Sequence, residues 1–336
     1  MHTWEQNVGV TELKTTKVVI FAALLLLMQG ATLILTNQVK ASSTALNYPS
    51  NYALSFDGNL SYVDFGASTL FRPTALSIEA WVKPSFDIEI GSNSTSAYGH
   101  QWGTIAHCDI MASWVGRYDG WWFGFDYSQG VLEFEFRDAL NNARMVHANK
   151  NFWNSSSWYF VGVTFNNTLY SGNVKFYVDG TLDSQQDMPY QIDYYTPYSP
   201  MQVGAISDYT DATRRCAYNG LIDEFRLWNV SRTDSQIQDA WNRTLLGTET
   251  SDPNLMGYWR FDDANGTHAI DSSSYTATNM GILLPTTNLP QWFFPGASII
   301  PEFSSLSLMI VLVVTGSLCA ILLAHRLRKL DPTNIR

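Results

Sequence analysis

Apolar and polar residues alternate with a period of two over much of the chain between residues 51 and 261. Residues 76–83 alternate up to Pro84, and residues 130–137 alternate again. Because successive side chains of a β-strand point to opposite faces of its sheet, this pattern predicts half-buried strands with Phe, Trp and Val facing a core. Two more strands are predicted over residues 158–165 and 174–178.

The punctuation between these segments favours antiparallel pairing. Asp179-Gly180 follows the strand over residues 174–178, and Asp-Gly tolerates the positive φ of a tight hairpin. Gly, Asn, Asp and Ser separate the short strands, and they do not alternate with helices. The sequence therefore predicts an all-β, two-sheet antiparallel sandwich.

One short helix is predicted within this β region. Ser231-Arg232-Thr233 offers side-chain oxygens for an N-cap, and apolar residues then recur at helical spacing up to Gly247. These residues are Ile237, Ala240, Trp241 and Leu245. We expect an amphipathic helix packed on the sandwich.

An apolar segment at the beginning of the chain predicts export. Residues 18–35 are apolar and follow Lys14 and Lys17, which is typical of a secretory signal. Cleavage near Ala41 would remove the segment, whereas an uncleaved segment would be a signal anchor. We predict residues 1–41 as signal peptide or signal anchor and residues 42–299 as the sandwich ectodomain.

A second apolar segment predicts a membrane anchor. Residues 306–324 are long enough to span a bilayer, and basic residues follow from His325 to Lys329. Because positive residues stay on the cytoplasmic side, we expect a single-pass, cell-surface protein with an extracellular sandwich and a cytoplasmic C-terminus. Pro301-Glu302-Phe303 resembles the sorting tag of archaeal surface proteins, which implies that residues 300–336 form an anchor or a sorting tail.

The net charge of the chain narrows the classes of partner that it can bind. Lys+Arg 20 against Asp+Glu 30 gives a net charge of -10, which argues against nucleic acid as a partner.

Cys319 lies in the second apolar segment, so only Cys108 and Cys216 are available for a disulfide. They could equally be two unpaired buried thiols.

Seven Asn-x-Ser/Thr sequons support glycosylation of an exported protein. They begin at Asn59, Asn93, Asn154, Asn166, Asn229, Asn242 and Asn265.

Five ordered blocks give the chain a specific family resemblance. Together they resemble the laminin-G-like/pentraxin-like family of concanavalin A-like lectin/glucanase domains, over roughly residues 51–283. The resemblance implies a jelly-roll sandwich of the concanavalin A-like kind. The blocks are ALSFDG at residues 53–58, LSIEAWVKP at 76–84, WYFVGV at 158–163 with FYVDG at 176–180, GLIDEFRLWN at 220–229, and LMGYWRFD at 255–262.

The family resemblance also implies a structural Ca²⁺ at the edge of the sandwich. By position its ligands would be Asp57, Asp223 and the carbonyl of Gly58, since Ca²⁺ takes oxygen ligands. The alternative is that Asp57-Gly58 is only a turn and Asp223 only a surface carboxylate.

Several aromatic residues in or beside polar segments are candidates for stacking on sugars. In the adjacent pair Trp121-Trp122 only one ring can face the core of a strand, so the other should point outward. The alternative is that all these rings cover a large core. The candidates are Trp121, Trp122, Tyr127, Tyr194, Tyr195, Tyr198 and Tyr209.

Glu133 and Glu135 are candidate catalytic residues. They would share one face of a strand about 7 Å apart, with Asp138 following. Related sandwich glucanases carry closely spaced carboxylates on one strand, but in the order Glu-x-Asp-x-x-Glu, from which this sequence departs. The alternative is the solvent face of a strand whose Phe134 and Phe136 point inward.

The leading hypothesis is a non-enzymatic surface recognition or adhesion module that binds glycan or protein and is stabilised by Ca²⁺. The alternatives are a surface glycoside hydrolase that uses Glu133 and Glu135, and a structural envelope protein without a ligand.

Overall fold

The computed structural model describes residues 51–90, 102–109, 119–169, 171–194, 200–206, 216–274 and 279–297. All of them belong to one compact unit. The predicted signal segment, the second apolar segment and the Pro-Glu-Phe tag lie outside the described residues, so the domain boundaries at residues 41 and 300 stay predictions.

The predicted localisation needs correction. Among the described residues, no helix is both long enough and apolar enough to cross a membrane. This finding contradicts the predicted single-pass anchor with a cytoplasmic C-terminus.

Strands account for nearly all of the regular structure in the described part of the chain. The helical elements there are a 3₁₀ turn over Thr69–Phe71 and one α-helix, α1, over Asp234–Ala240. The strands are β1 (Ala53–Asp57), β2 (Tyr62–Ala67), β3 (Leu76–Pro84), β4 (Ile88–Glu89), β5 (Trp102–Asp109), β6 (Gly120–Asp126), β7 (Val131–Arg137), β8 (Ala143–His147), β9 (Phe152–Trp153), β10 (Tyr159–Phe165), β11 (Val174–Val178), β12 (Thr181–Gln186), β13 (Pro200–Val203), β14 (Asn219–Trp228), β15 (Leu255–Trp259), β16 (His268–Ala269), β17 (Gly281–Leu284) and β18 (Gln291–Phe293).

Two eight-stranded antiparallel sheets form the sandwich, as predicted. Sheet 1 has the order β12-β11-β10-β3-β14-β1-β18, with β15 also paired to β14. Sheet 2 has the order β16-β17-β2-β13-β5-β6-β7-β8. One large cluster of buried apolar side chains draws on strands of both sheets, so the core lies between them.

The period-two segments adopt the predicted strands. In β3, Leu76, Ile78, Ala80 and Val82 are fully buried and belong to the core cluster. The predicted hairpin joins β11 to β12, and both Asp179 and Gly180 have positive φ, at 48° and 73°. These features confirm the prediction that the alternating segments form β-strands.

Helix α1 packs on the outer face of sheet 1. Thr233 is its N-cap, and the side chain of Gln236 accepts a hydrogen bond from the Thr233 backbone in a capping box. Ile237 and Ala240 are buried. The helix ends at Ala240, so it is shorter than the apolar spacing up to Leu245 predicts.

A buried ion network lies between α1 and sheet 1. Arg226 of β14 is fully buried; its Nη2 lies 3.0 Å from Glu224 Oε2, and its Nη1 donates to the carbonyl of Ala240 at 2.9 Å. Glu79 of β3 is also fully buried and lies 2.6 Å from Arg232 and 3.5 Å from Arg226. The network therefore ties the end of α1 to two adjacent central strands.

A β-bulge in β14 makes this network possible. The register of β14 against β3 shifts between Asp223 and Arg226, and Glu224 has a φ of 50°. Ile222 and Phe225 both face the core, although they are three residues apart. The extra residue keeps both carboxylates, Asp223 and Glu224, out of the apolar core.

Replacing Glu79 should reveal the energetic weight of the network. The E79Q substitution leaves the buried guanidinium of Arg232 without its carboxylate, which costs about 3–5 kcal/mol when one partner of a buried pair is removed. We expect a corresponding fall in the free energy of unfolding in urea. Lys175→Met breaks the exposed pair with Asp234 and should cost at most about 1 kcal/mol. Equal costs for both variants would contradict this account.

The raised pKa of Asp262 predicts that the stability of the domain depends on pH. Burial raises this pKa to about 6, against the opposing effect of Arg260, whose Nη2 lies 2.6 Å away. Because the folded state then binds this proton more tightly than the unfolded state, its contribution to stability falls as the pH rises from about 4 to about 6.

The D262N variant has no carboxyl group to titrate at this position, so it should lack this pH dependence. Between pH 4 and pH 7 the free energy of unfolding of wild type should fall by on the order of 1–3 kcal/mol relative to that of D262N, measured by urea unfolding at each pH. A constant difference between the two proteins over this range would show that Asp262 keeps an ordinary pKa.

Candidate functional site

The outer face of sheet 2 presents a group of aromatic and charged side chains. In β6, Trp121, Phe123 and Phe125 are buried in the core cluster, so Trp122 points to the opposite face. In β7, the core residues alternate in the same way with Glu133, Glu135 and Arg137. The polar face predicted for this strand is therefore confirmed.

A cavity of about 290 Å³ opens on this face. Three kinds of side chain line it: aromatic, apolar and charged. They are Trp102, Trp122, Glu133, Glu135, Arg137, Ala143, Met145, Ile206 and Cys216.

The two tryptophans of the cavity differ in exposure. Trp102 has 40% of its surface exposed, whereas Trp122 has 5%. The indole Nε1 of Trp122 donates to Thr104 Oγ1 at 2.9 Å, and its ring lies over Gly124, where a Cβ would stand 2.6 Å from a ring carbon. Gly124 is thus required for the flat position of this ring, and Trp102 offers the accessible aromatic face.

Each cavity carboxylate has a basic partner. Glu135 Oε1 lies 2.8 Å from Arg137, and Glu133 Oε2 lies 2.7 Å from Nε2 of His147. Burial raises the pKa of Glu135, with Arg137 opposing and the charge of Glu133 adding to the rise. The hydrogen bond to Glu133 raises the pKa of His147. Both carboxylates are held in fixed orientations.

Polar pairs continue across the sheet towards β2. Gln202 of β13 donates from Nε2 to Asp64 Oδ2 at 2.8 Å, and its Oε1 lies 3.1 Å from Nε2 of His107, which donates to it. His107 stands opposite Trp122 in the register of β5 and β6. A hydrogen-bonded row of Asp64, Gln202 and His107 therefore runs across the sheet and ends next to Trp122.

The predicted aromatic residues divide between the core and the cavity. The prediction that one ring of Trp121-Trp122 points outward is correct, because Trp122 lines the cavity. Trp121 and Tyr127 are corrected: they have 0% and 1% exposure and lie in the core, where no sugar can reach their rings. Tyr194 is half-buried, and its hydroxyl donates to the carbonyl of Pro73. Tyr195, Tyr198 and Tyr209 lie outside the described residues.

The structure does not bring the predicted Ca²⁺ ligands together. Asp57 of β1 stands opposite Asn219, four positions from Asp223 along β14, which corresponds to about 13 Å. Asp57 Oδ1 accepts hydrogen bonds from three backbone N–H groups of the turn that contains Gly58. Asp223 accepts from the backbone of Glu224 and Ala297. The pair does not fit one shared ion.

The remaining sequence predictions have mixed outcomes. No disulfide joins Cys108, which is buried in the core, to Cys216, which lines the cavity.

The sequon asparagines within the described residues are all exposed or half-buried, and their glycosylation stays a prediction. They are Asn59, Asn154, Asn166, Asn229, Asn242 and Asn265, whereas Asn93 lies outside the described residues.

Sequence reasoning missed three side chains of this face. Arg137 follows the predicted glutamates on β7 itself, whereas Trp102 of β5 and His147 of β8 reach the site through pairing between strands. Arg137 could have been inferred, since it continues the alternation of Glu133 and Glu135. Trp102 and His147 depend on registers that no local pattern reveals.

Comparisons with known proteins agree with this architecture. A family model described as the concanavalin A-like lectin/glucanases superfamily matches residues 57–238, which is more than half of the chain. The chain therefore belongs to the concanavalin A-like lectin/glucanase superfamily. A search of curated proteins finds no match.

One solved structure of low sequence identity shares the fold, and two others show a weaker similarity. A candidate carbohydrate-binding protein from Bacteroides ovatus is 15% identical with a TM-score of 0.50, over 75% of this chain and 62% of that one. The chain thus spans less than two thirds of that structure. The Limulus polyphemus pentraxin has 13% identity, a TM-score of 0.38 and coverages of 56% and 81%, and the sialidase carbohydrate-binding module from Ruminococcus gnavus has 10%, 0.40, 53% and 93%.

The cavity thiol should be unreactive. Burial, reinforced by the charges of Glu135 and Glu133, raises the pKa of Cys216 to about 12. Because the thiolate is the nucleophile, iodoacetamide at pH 8 should modify Cys216 about a thousandfold or more slowly than an ordinary cysteine. Peptide mapping by mass spectrometry measures this rate, with C216S as the control for peptide assignment. Modification at the rate of an exposed thiol would contradict the raised pKa.

Proposed function

We propose that this domain is a non-catalytic glycan-binding module whose ligand site is the cavity on the outer face of sheet 2. The observation that carries the proposal is the exposed ring of Trp102 beside Glu133, Glu135 and Arg137 in one cavity. Aromatic faces bind the apolar faces of sugars, and polar groups at their rim fix the orientation of the hydroxyls.

The side chains suggest a division of labour. Trp102 is the stacking platform, and Met145, with 48% of its surface exposed, adds apolar contact. The carboxylates of Glu133 and Glu135 accept hydrogen bonds from sugar hydroxyls. Because His147 and Arg137 already hold these carboxylates, little side-chain freedom is lost when the ligand binds.

The charges of the cavity favour a neutral glycan. Two carboxylates and one guanidinium line the cavity, and His147, the partner of Glu133, lies outside the lining, so an acidic sugar would meet like charge at Glu133 and Glu135. Hydroxyl-rich neutral sugars donate hydrogen bonds to carboxylates without this repulsion. Fold likeness to carbohydrate-binding structures supports the class of ligand, not its identity.

The second candidate is a glycoside hydrolase. It is favoured by one observation: Glu135 has a raised pKa and shares a strand face with Glu133, as a proton donor beside a second carboxylate would. Against it, each carboxylate is already paired to a basic group. A structural protein without a ligand is the third possibility. Calcium held by Asp57 and Asp223 forms no part of the proposal.

The decisive variant is Trp102→Ala. Full-length protein on an array of neutral and acidic glycans should bind neutral ligands, and W102A should weaken the best of these at least about tenfold, because the stacking surface is lost. Phe293→Ala is the matched control: it removes an aromatic ring that is 43% exposed on β18 of sheet 1, and it should leave affinity unchanged.

Three outcomes would contradict the proposal. Release of reducing sugar that is lost in E133Q would identify the hydrolase instead. No binding to any glycan would leave the structural role. Equal losses of affinity in W102A and F293A would place the ligand elsewhere or indicate general unfolding, which circular dichroism of both variants distinguishes.

A further inference from the structure

Three side chains from neighbouring strands converge beside the cavity. Asp126 ends β6, Glu133 lies on β7 and His147 ends β8, where it stands opposite Glu133. One oxygen of each carboxylate and one ring nitrogen of His147 lie within 4.8 Å of one another. In the described part of the chain, these three side chains form a group that could hold a metal ion, and the group includes an imidazole.

The carboxylates of this cluster are buried and ordered. Asp126 and Glu133 have 5% and 3% of their surface exposed. Asp126 accepts hydrogen bonds from Ser128 Oγ at 2.6 Å and from Gln129 Nε2 at 2.6 Å. The side chain of His147 is 31% exposed, so the cluster is open to solvent on that side.

We propose that Asp126, Glu133 and His147 form a binding site for a divalent transition-metal ion of the Zn²⁺ type. A cation between two buried carboxylates offsets the cost of holding like charges together away from water. The imidazole ligand favours Zn²⁺ over Ca²⁺ and Mg²⁺, which prefer all-oxygen sites.

The geometry requires only small adjustments. Zn²⁺ ligands at about 2.0–2.2 Å from the ion lie about 3.3 Å from one another in a tetrahedral site. The pair Glu133–His147 at 2.7 Å would open by about 0.6 Å, and the most distant pair, at most 4.8 Å apart, would close by at most about 1.5 Å. Three protein ligands leave a fourth position for water or another ligand, and Glu133 places the site next to the cavity that it also lines.

Titration with the metal alone tests the site. Full-length protein stripped by chelator and dialysed at pH 7.5 is titrated with Zn²⁺, and separately with Mn²⁺ and Ca²⁺, by isothermal calorimetry. We expect Zn²⁺ to bind most tightly. His147→Gln should weaken Zn²⁺ binding at least about 10- to 100-fold, since loss of even an outer partner of a metal ligand costs that much.

The controls separate this site from other histidines. His268→Gln removes an exposed imidazole on β16 of the same sheet and should leave Zn²⁺ affinity unchanged. Glu135→Gln removes the neighbouring carboxylate of β7 outside the cluster and should also leave Zn²⁺ bound. Asp126→Asn should behave like H147Q; if this buried substitution prevents folding, the partly exposed His147 decides the outcome.

Co²⁺ gives a second readout. Bound to a mixed nitrogen and oxygen site it produces visible d–d absorption, which should disappear in H147Q and persist in H268Q. Absence of Zn²⁺ binding by wild type, equal affinity in wild type and H147Q, or tighter binding of Ca²⁺ than of Zn²⁺ would each overturn the proposal. No glycan is present in these titrations, so their failure leaves the glycan-binding proposal standing.

Discussion

The pairing of β6 with β7 is the constraint on which the candidate site depends. Trp121, Phe123 and Phe125 lie opposite Phe136, Phe134 and Leu132, and all six are buried in the core. Because side chains alternate along a strand, burying these apolar residues places the residues between them on the outer face of the sheet. Trp122 must stand opposite Glu135, and Glu133 must stand opposite Gly124, on the outer face. A slip of one residue would send two carboxylates into the core, so the aromatic packing and the site share one register.

The two outer faces of the sandwich have different roles. On sheet 1, α1 packs on part of the outer face, and the charged groups beneath it form buried ion pairs such as Arg226 with Glu224. These charges fix a helix to two strands and have no access to a ligand. On sheet 2 the carboxylates Glu133 and Glu135 pair with basic groups that remain partly exposed. The same residue types thus hold the fold together on one face and are available for recognition on the other.

Local patterns were enough to predict the sandwich. The strands β3 and β7 and the outward ring of the Trp121-Trp122 pair followed from a period of two, and the Asp179-Gly180 turn followed from the tolerance of Asp-Gly for positive φ. What failed depended on how distant strands align. Asp57 and Asp223 belong to adjacent strands but to the wrong register, and His147 joins Glu133 only through the pairing of β7 with β8. The helix was overestimated because Leu245, although buried, packs from the loop after α1.

The bulge at Asp223–Arg226 also divides β14 between two partners. Along one edge, residues up to Ile222 pair with β1, and residues from Phe225 onward pair with β15. The other edge pairs with β3 over most of its length. The central strand of sheet 1 therefore gathers partners from both ends of the domain. During synthesis the pairing of β14 therefore cannot be completed until β15 has left the ribosome, and sheet 1 as a whole also waits for β18. Until then, half of one edge of β14 stays open to pairing with other chains.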